Sequence, residues 1–450
     1  MMNKGLTRRK FLIGAAVFAA GCATERTHKK NARLRSPNEI LNVAGVGVGG
    51  KGDSDLSDTA AGRNVRVAAI CDVDARNLAH AAKKYPDART FRDYRRMLDE
   101  LGGDIDAVLV STPDHMHAPI ALAAMSLGKH VHVQKPLAHN LEELRAMALM
   151  AEEQGVVTQM GTQIHSHSAY RTGVAMIRQG AIGKAREACL WVGSNWGRAE
   201  GRPDKSDPVP DYLDWDLWLG VAPERPFVNG IYHPAEWRRW KDFGIGTLGD
   251  MGCHIFDPVF SALDLNPPVS AVSSGPQPFE ETYALETEIA YTFAGTDYAA
   301  DGFTLRWLDG ERVKNADPAK AQLPPGVALP GGGSYIVGEK GVMVLPHWSL
   351  PSFYCGGQKM DIEMKALEDR NHYTEFTDAC RGEGQTSTPF SYSTKVAESV
   401  LIGTVAARFP GEKLEWNSRK LRFDKKEANE LVRRKHRSGW RMEGLLEIVD

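Results

Sequence analysis

The chain has 450 residues, 42% hydrophobic and 25% charged, more than one hydrophobic core usually organises, so two globular domains are expected. Its 55 basic and 57 acidic residues give a formal net charge of -2, which excludes the strongly basic balance of a nucleic-acid-binding surface. The 6 cysteines form no close pairs, which argues against a disulfide framework and against a thiolate metal site.

Residues 1–22 place Arg8 and Arg9 directly before the apolar run FLIGAAVFAAG, the order of a signal peptide. That run is much shorter than the roughly 20 residues that span a bilayer. The paired arginines with Phe11 and Leu12 point to the twin-arginine route, which exports folded proteins. The expected location is therefore the periplasm, with the export machinery as a partner. The stretch AAGC puts Cys22 where a lipoprotein is cleaved and lipidated, and a plain soluble form stays open. Residues 23–38 are polar and basic and read as a tether.

Between 39 and 160 the apolar runs ILNVAGV, VRVAAICDV, DAVLVST, HVHVQKP and VVTQMGT alternate with helical stretches such as LEELRAMALMAEEQG. That alternation predicts a doubly wound parallel sheet with crossover helices, a Rossmann domain. Gly45, Gly47 and Gly50 give G-x-G-x-x-G after the first strand. There the glycines permit a tight turn and a close approach to pyrophosphate, and the next helix offers its N-terminus to phosphate. Asp72 ends the second strand, where a carboxylate accepts hydrogen bonds from ribose hydroxyls and repels an added phosphate. NAD is the expected cofactor; NADP is the lesser choice, kept open by the nearby Arg76.

Ser111, Thr112 and Pro113 then end a strand, His115 and His117 follow, and Gln134-Lys135-Pro136 ends another. These positions resemble the Gfo/Idh/MocA family of NAD(P)-dependent sugar oxidoreductases, whose members carry Glu-Lys-Pro there. The resemblance runs from about Ile40 to about Phe423 and continues in WDLWLGVAPERPF, WRRWKDFGIGTLGDMGCHIFD, HYTEFTDACRGEGQ and GEKLEWNSRKLRF. Asp250 and His254 are spaced i, i+4 and share a face on a helix; the resemblance makes Lys135, Asp250 and His254 the catalytic set. It also places Ser111, Thr112, Pro113, His115, His117 and Gln134 at the cofactor, and substrate contacts at Gln163 and His165. Tyr232, Trp237 and Arg238 are an apolar and polar mixture suited to a sugar ring, although Trp237 and Trp240 also fit a core. No metal site is expected, since no third ligand accompanies Asp250 and His254.

Oxidising a secondary alcohol removes a hydroxyl proton while hydride leaves the same carbon. Histidine suits the proton transfer, Lys135 can polarise the oxygen or act as base, and Asp250 would orient His254 or hold a sugar hydroxyl. Gln134 in place of glutamate removes a negative neighbour of Lys135, which favours the uncharged amine. The resemblance implies a second α/β domain over 161–423, with an open, mostly antiparallel sheet that often forms the dimer face, so a homo-oligomer is expected. NADPAKAQLPPGVALPGGGS reads as an inserted loop, and 424–450 as an extension whose charges form a solvated face. An exported enzyme would carry its NAD with it and regenerate it in place. Two reactions meet that demand: oxidation and reduction of sugars, or a redox-neutral glycoside hydrolysis in which one sugar is oxidised at C3, undergoes elimination and hydration, and is reduced again. A non-catalytic NAD- or sugar-binding lipoprotein is the alternative of another class.

Overall fold

The computed structural model describes residue 36 and residues 39–318, 323–442 and 444–449. Arg8, Arg9 and Cys22 lie outside the described residues. The first sheet has six parallel strands in the order β3-β2-β1-β4-β5-β6: β1 Leu41–Val46, β2 Val65–Cys71, β3 Arg89–Phe91, β4 Ala107–Val110, β5 His130–Val133 and β6 Thr158–Met160. β1, β4 and β5 are almost wholly buried, as parallel strands covered on both faces must be. Helices start where side chains cap them: Asp74 accepts from the Arg76 N–H, and Asn140 from the Glu143 N–H. Gly155, left-handed at φ 63°, ends the Leu141–Gln154 helix. The strand β3 has three residues, too few for a periodic signal, and was not among the predicted runs.

The order reverses between β1 and β4, and ligands of open α/β sheets bind at the carboxyl ends of the strands at such a switch point. The Gly47–Gly50 loop follows β1, and Ser111-Thr112-Pro113 follows β4, so both meet there.

The second sheet continues the numbering with β7 Ala185–Val192, β8 Ser270–Ser273, β9 Glu288–Phe293, β10 Ala299–Asp309, β11 Gly332–Gly338, β12 Val342–Pro346, β13 Ser352–Cys355, β14 Gln358–Lys359, β15 Lys413–Asn417 and β16 Arg422–Phe423. Its order is β14-β13-β12-β11-β7-β10-β9-β8-β15-β16, antiparallel at every pairing except β7 with β10. One face carries the Gly246–Leu263 helix, which packs against the Ser168–Arg178 and Phe390–Ala406 helices and over β7, β10 and β11. Alternate residues of β7 serve the two faces: Leu190 joins the core under the helices, while Cys189 and Trp191 join a separate cluster with Leu308 and Tyr335. Leu323, Val327 and Leu329 of the Pro- and Gly-rich loop pack into that second cluster, so the chain covers part of its own outer sheet face. No helix among the described residues is long and apolar enough to cross a membrane.

Candidate active site

A cleft of about 770 Å³ runs from the glycine loop to the Gly246–Leu263 helix. The glycine pattern fits the loop in a frame two residues later than the sequence suggested. Gly45 lies inside β1 and faces Leu56 and Val48. Gly47 turns the chain at φ 78°, where a Cβ would sit 2.7 Å from the Ser111 carbonyl oxygen. Gly52 lies in the first turn of the Lys51–Ala60 helix, where a Cβ would sit 1.8 Å from the Gly47 oxygen. Gly47, Gly49 and Gly52 therefore fill the turn, approach and packing roles of G-x-G-x-x-G. Gly50, at φ 55°, has nothing within 4 Å of an added Cβ and still lines the cleft.

Asp72 lines the same end. Its carboxylate accepts from the Val48 N–H at 2.9 Å and the Asp74 N–H at 2.8 Å; burial raises it from the ordinary carboxylate value, against the pull of those bonds. Burial also works to raise Asp74, but hydrogen bonds from Arg76 and His233 outweigh it and hold Asp74 at about 2. Arg76 is thereby engaged: it pairs with Asp74 at 2.7 Å and lies 3.5 Å over the Tyr212 ring. The glycine cradle and the buried Thr112 hydroxyl, which has no hydrogen-bond partner, fit a dinucleotide.

Gln134 donates to Asp55 Oδ2 at 2.9 Å, and Ser111 Oγ donates to the same oxygen at 2.8 Å. The other Asp55 oxygen accepts from Tyr373 OH at 2.6 Å and from the Lys51 ammonium. Burial alone would raise this fully buried carboxyl, but the cationic form of His132 and the Lys51 ammonium together hold it below its usual value. Burial drives His132 itself down to about 4, so Lys51 is its cation at neutral pH. The carboxylate missing at position 134 is thus supplied from the Lys51–Ala60 helix. Nothing in the sequence joins Asp55 to Gln134, 79 residues apart.

At the other end Lys135 Nζ donates to Asp250 Oδ1 at 2.8 Å and to the Asp250 carbonyl at 2.7 Å. Arg238 Nε donates to the same Oδ1 at 3.0 Å, and Trp196 Nε1 to Oδ2 at 2.8 Å. Against the effect of burial, Lys135 and Arg238 hold Asp250 well below the usual carboxylate range. Asp250 therefore positions Lys135 and Arg238; its carboxylate is spent on them and on Trp196, not on orienting His254. His254 lines the cleft. Burial, then the Lys135 charge and His347, push it well below the ordinary histidine value, and its Nδ1 is buried without a hydrogen-bond partner. Asp114, which the sequence reading passed over, also lines the cleft; burial pushes it up to about 8 against the pull of Arg238 and Lys135.

Other predicted residues divide. Pro113, Gln163, Trp237 and Arg238 line the cleft, with the Arg238 guanidinium 4.2 Å from the Trp237 ring. Trp240 is core. His115 and His117 do not reach the cofactor end. His115 is buried with Nε2 3.0 Å from the Trp218 carbonyl, and burial lowers it to about 3. His117 stands between the Pro136 and Thr112 carbonyls at 2.7 and 2.8 Å and ties the two loops together. Tyr232 is wholly buried among Trp215, Trp218, Trp240 and Phe243, so it is not a substrate contact. His165 Nδ1 meets both oxygens of buried Asp257 at 2.8 and 2.9 Å. Burial alone would lower His165, but Asp257 overcomes that and raises it.

Residues 41–162 match the Gfo/Idh/MocA model described as an oxidoreductase family with an NAD-binding Rossmann fold, and residues 188–326 match its C-terminal α/β domain. The levoglucosan dehydrogenase of Pseudarthrobacter phenanthrenivorans is 27% identical over 188 residues, 42% of this chain and 40% of that protein. A glycosyl hydrolase family 109 protein of a Shewanella species is 32% identical over 202 residues, 39% of this chain and 44% of that protein. The chain thus spans less than half the length of these curated relatives in the matched segments. Among solved structures, aldose-aldose oxidoreductase from Caulobacter crescentus complexed with glycerol superposes with a TM-score of 0.58 at 17% identity, over 84% of this chain and 100% of that one. A levoglucosan dehydrogenase complex with NADH and levoglucosan gives 0.58 at 19% identity, over 84% and 99%. At these identities the likeness is one of fold. With both domain models matched over more than half of its length, the chain belongs to the Gfo/Idh/MocA oxidoreductase family.

Proposed function

We propose that the protein is an NAD-dependent oxidoreductase of a sugar or sugar derivative. The observation that carries this reading is the convergence of Lys135 and His254 on one cleft with the glycine loop and Asp72. NAD, when bound, supplies the acceptor for a hydride from the carbon that bears the reacting hydroxyl. Lys135 spends two of its three N–H groups on Asp250, and the third is free for the substrate oxygen. Its positive charge stabilises the alkoxide as it develops, while uncharged His254 receives the hydroxyl proton. Arg76 is held by Asp74 and Tyr212 and Asp72 would repel a 2′-phosphate, which supports NAD over NADP. A non-catalytic binding protein has no need of a lysine and a histidine placed in this way.

The matches to glycosyl hydrolase family 109 proteins favour a second reading. In that scheme the sugar loses a hydride from C3 and a proton from its oxygen, the acidified C2 proton is removed, and the C1 substituent leaves. Water then adds across C1 and C2, the hydride returns to C3 and the proton returns to its oxygen. One experiment covers both readings: the purified protein is assayed by mass and absorbance for bound NAD(H), then incubated with a panel of sugars and glycosides in D₂O. Sugar oxidation or reduction leaves C2 without deuterium, and the redox-neutral route places deuterium there. Lys135→Ala and His254→Ala should keep NAD and lose about 10²- to 10⁴-fold in rate; full activity in His254→Ala would reject its role. The paired arginines support export as a folded, NAD-loaded protein. Arg8→Lys with Arg9→Lys should then leave it in the cytoplasm, still able to bind NAD.

A further inference from the structure

A second recess, of about 550 Å³, adjoins the catalytic helix. It touches that helix at Met251, next to Asp250, and reaches His347, whose ring lies 6.1 Å from the His254 ring. Its lining contains no lysine, arginine, aspartate or glutamate. Gly193, Gly331 and Gly332 give it a floor of bare backbone, with the Gly193 N–H donating to the Gly331 carbonyl at 3.1 Å. An added Cβ at Gly331 would meet nothing within 4 Å. Ser194 and Ser349 supply hydroxyls. Burial lowers His347 to about 4, so its ring is uncharged, and its Nδ1 is 2.8 Å from Tyr170 OH.

Beside His347 stands Trp348, 53% exposed and left-handed at φ 67°. A bulky residue rarely adopts that conformation, which persists where the surroundings impose it. Its ring contacts are with His167 at 5.1 Å and His347 at 5.3 Å. The rings of His254, His347 and Trp348 therefore lead stepwise from the site to an exposed indole, which stands outside the recess lining, between its two residues His347 and Ser349.

We propose that this recess and Trp348 form a subsite for a second, uncharged ring, so that the substrate is a glycoside whose aglycone or second sugar packs against the indole. The proposal rests on the sugar reading above. A pyranose offers C–H groups to an aromatic face and hydroxyls to backbone and serines, as this lining requires. A nucleotide-linked sugar would bring phosphate charge into a recess without a cation.

The test uses the NAD-loaded protein, titrated calorimetrically with glucose, galactose and N-acetylgalactosamine, their methyl glycosides, and the corresponding disaccharides and aryl glycosides. Two-ring ligands should bind about 3- to 10-fold more tightly than their one-ring counterparts. Trp348→Gly, which suits the left-handed backbone and should fold, should erase that advantage without changing one-ring binding. Trp348→Phe should retain most of it. One-ring binding with no two-ring advantage, or an advantage that survives Trp348→Gly, overturns the subsite and leaves the sugar reading intact. If none of the sugars binds, the sugar reading fails and the subsite fails with it. A change of particle mass in light scattering on Trp348→Gly would make Trp348 a subunit contact and likewise overturn the proposal.

Discussion

Asp250, set between Lys135 and Arg238, fixes the charge that a substrate oxygen meets. Two cations and one carboxylate leave a single positive charge, provided that Asp114 keeps its proton. Burial holds that proton up to about 8, while in the unfolded chain it is lost near the ordinary value of 3.8. The folded state therefore binds more protons between these two values, and this contribution to stability is complete below about pH 4 and lost as pH rises towards about 8. Asp114→Asn removes the dependence. Its melting temperature relative to the parent should rise between pH 5 and pH 8, and the fall in activity of the parent above about pH 8 should be blunted. Equal differences at both pH values would show that Asp114 does not titrate in this window. Asp250 and His254 were legible from their i, i+4 spacing and the family resemblance. Asp114 was not, because its consequence arises from burial beside residues more than a hundred positions away in Arg238 and Asp250.

The glycine loop shows how one element can be recognised while its register is misplaced. Glycines at 45, 47, 49, 50 and 52 satisfy the motif in two frames, and only the end of β1 at Val46 decides between them. The predicted strand run ILNVAGV already contained Gly45, so the boundary and the motif competed for one residue. The two frames make different demands. Gly52→Ala would force a methyl group 1.8 Å from the Gly47 oxygen, which the backbone must move to relieve, at about 1–3 kcal/mol. NAD affinity should fall at least about tenfold with it, since the displaced turn carries the phosphate site. Gly45→Ala meets only the ends of Leu56 and Val48 at 3.1 Å, and should cost under about 1 kcal/mol and retain NAD. Gly50→Ala meets no neighbour but forces a side chain into φ 55° and ψ -117°, a region that suits glycine, at about 1–3 kcal/mol. Thermal unfolding with and without NAD separates these cases; the reverse order for Gly45 and Gly52 would restore the earlier frame. The parallel strands and crossover helices of the first sheet were readable from alternating apolar runs. The place of Gln134 at the cleft was readable as well; its bond to Asp55 was not, because that carboxylate lies on another element and is joined to it only by folding.

At the scale of the whole molecule, the charged C-terminal stretch forms only in part the solvated face its composition suggests: Asp424, Lys426, Glu427, Glu430, Arg433, Lys435 and Arg441 are exposed, whereas Arg434, His436 and Arg437 turn inward. Arg434 donates to Glu143 at 2.7 Å and to the His115 carbonyl at 2.6 Å, and His436 lies 3.0 Å from the same Glu143 oxygen. Arg437 donates to the carbonyls of Gly220 at 3.0 Å and Asp216 at 2.8 Å. Val432 and Met442 enter the core, and Trp440, with Arg95 at 3.9 Å over its ring, lines the NAD-side cleft. The stretch thus fastens a Rossmann helix to the loop after β4 and to the segment around Trp218. Charge runs read as solvated because most are; here Glu143, whose burial the sequence does not reveal, draws in Arg434 and His436 alone among those charges. Burial would raise Glu143, yet Arg434 and His436 hold it at about 2. Its stabilising share is present above the ordinary value of 4.5 and is lost as pH falls through about 2. Arg434→Ala leaves a buried carboxylate with His436 alone, and should cost about 3 kcal/mol at neutral pH. The acid-unfolding midpoint should move to higher pH, and NAD should dissociate faster because Trp440 loses its tether. Adding Glu143→Gln to Arg434→Ala removes the stranded charge and should recover part of the stability. It should leave NAD release fast, since the tether to the His115 carbonyl is still missing. Urea unfolding at pH 7 and pH 4, with stopped-flow release of NAD, measures both effects. If the double variant is as unstable as Arg434→Ala alone, the uncompensated charge is not the cause and the tail stabilises the molecule through Val432, Trp440 and Met442 instead.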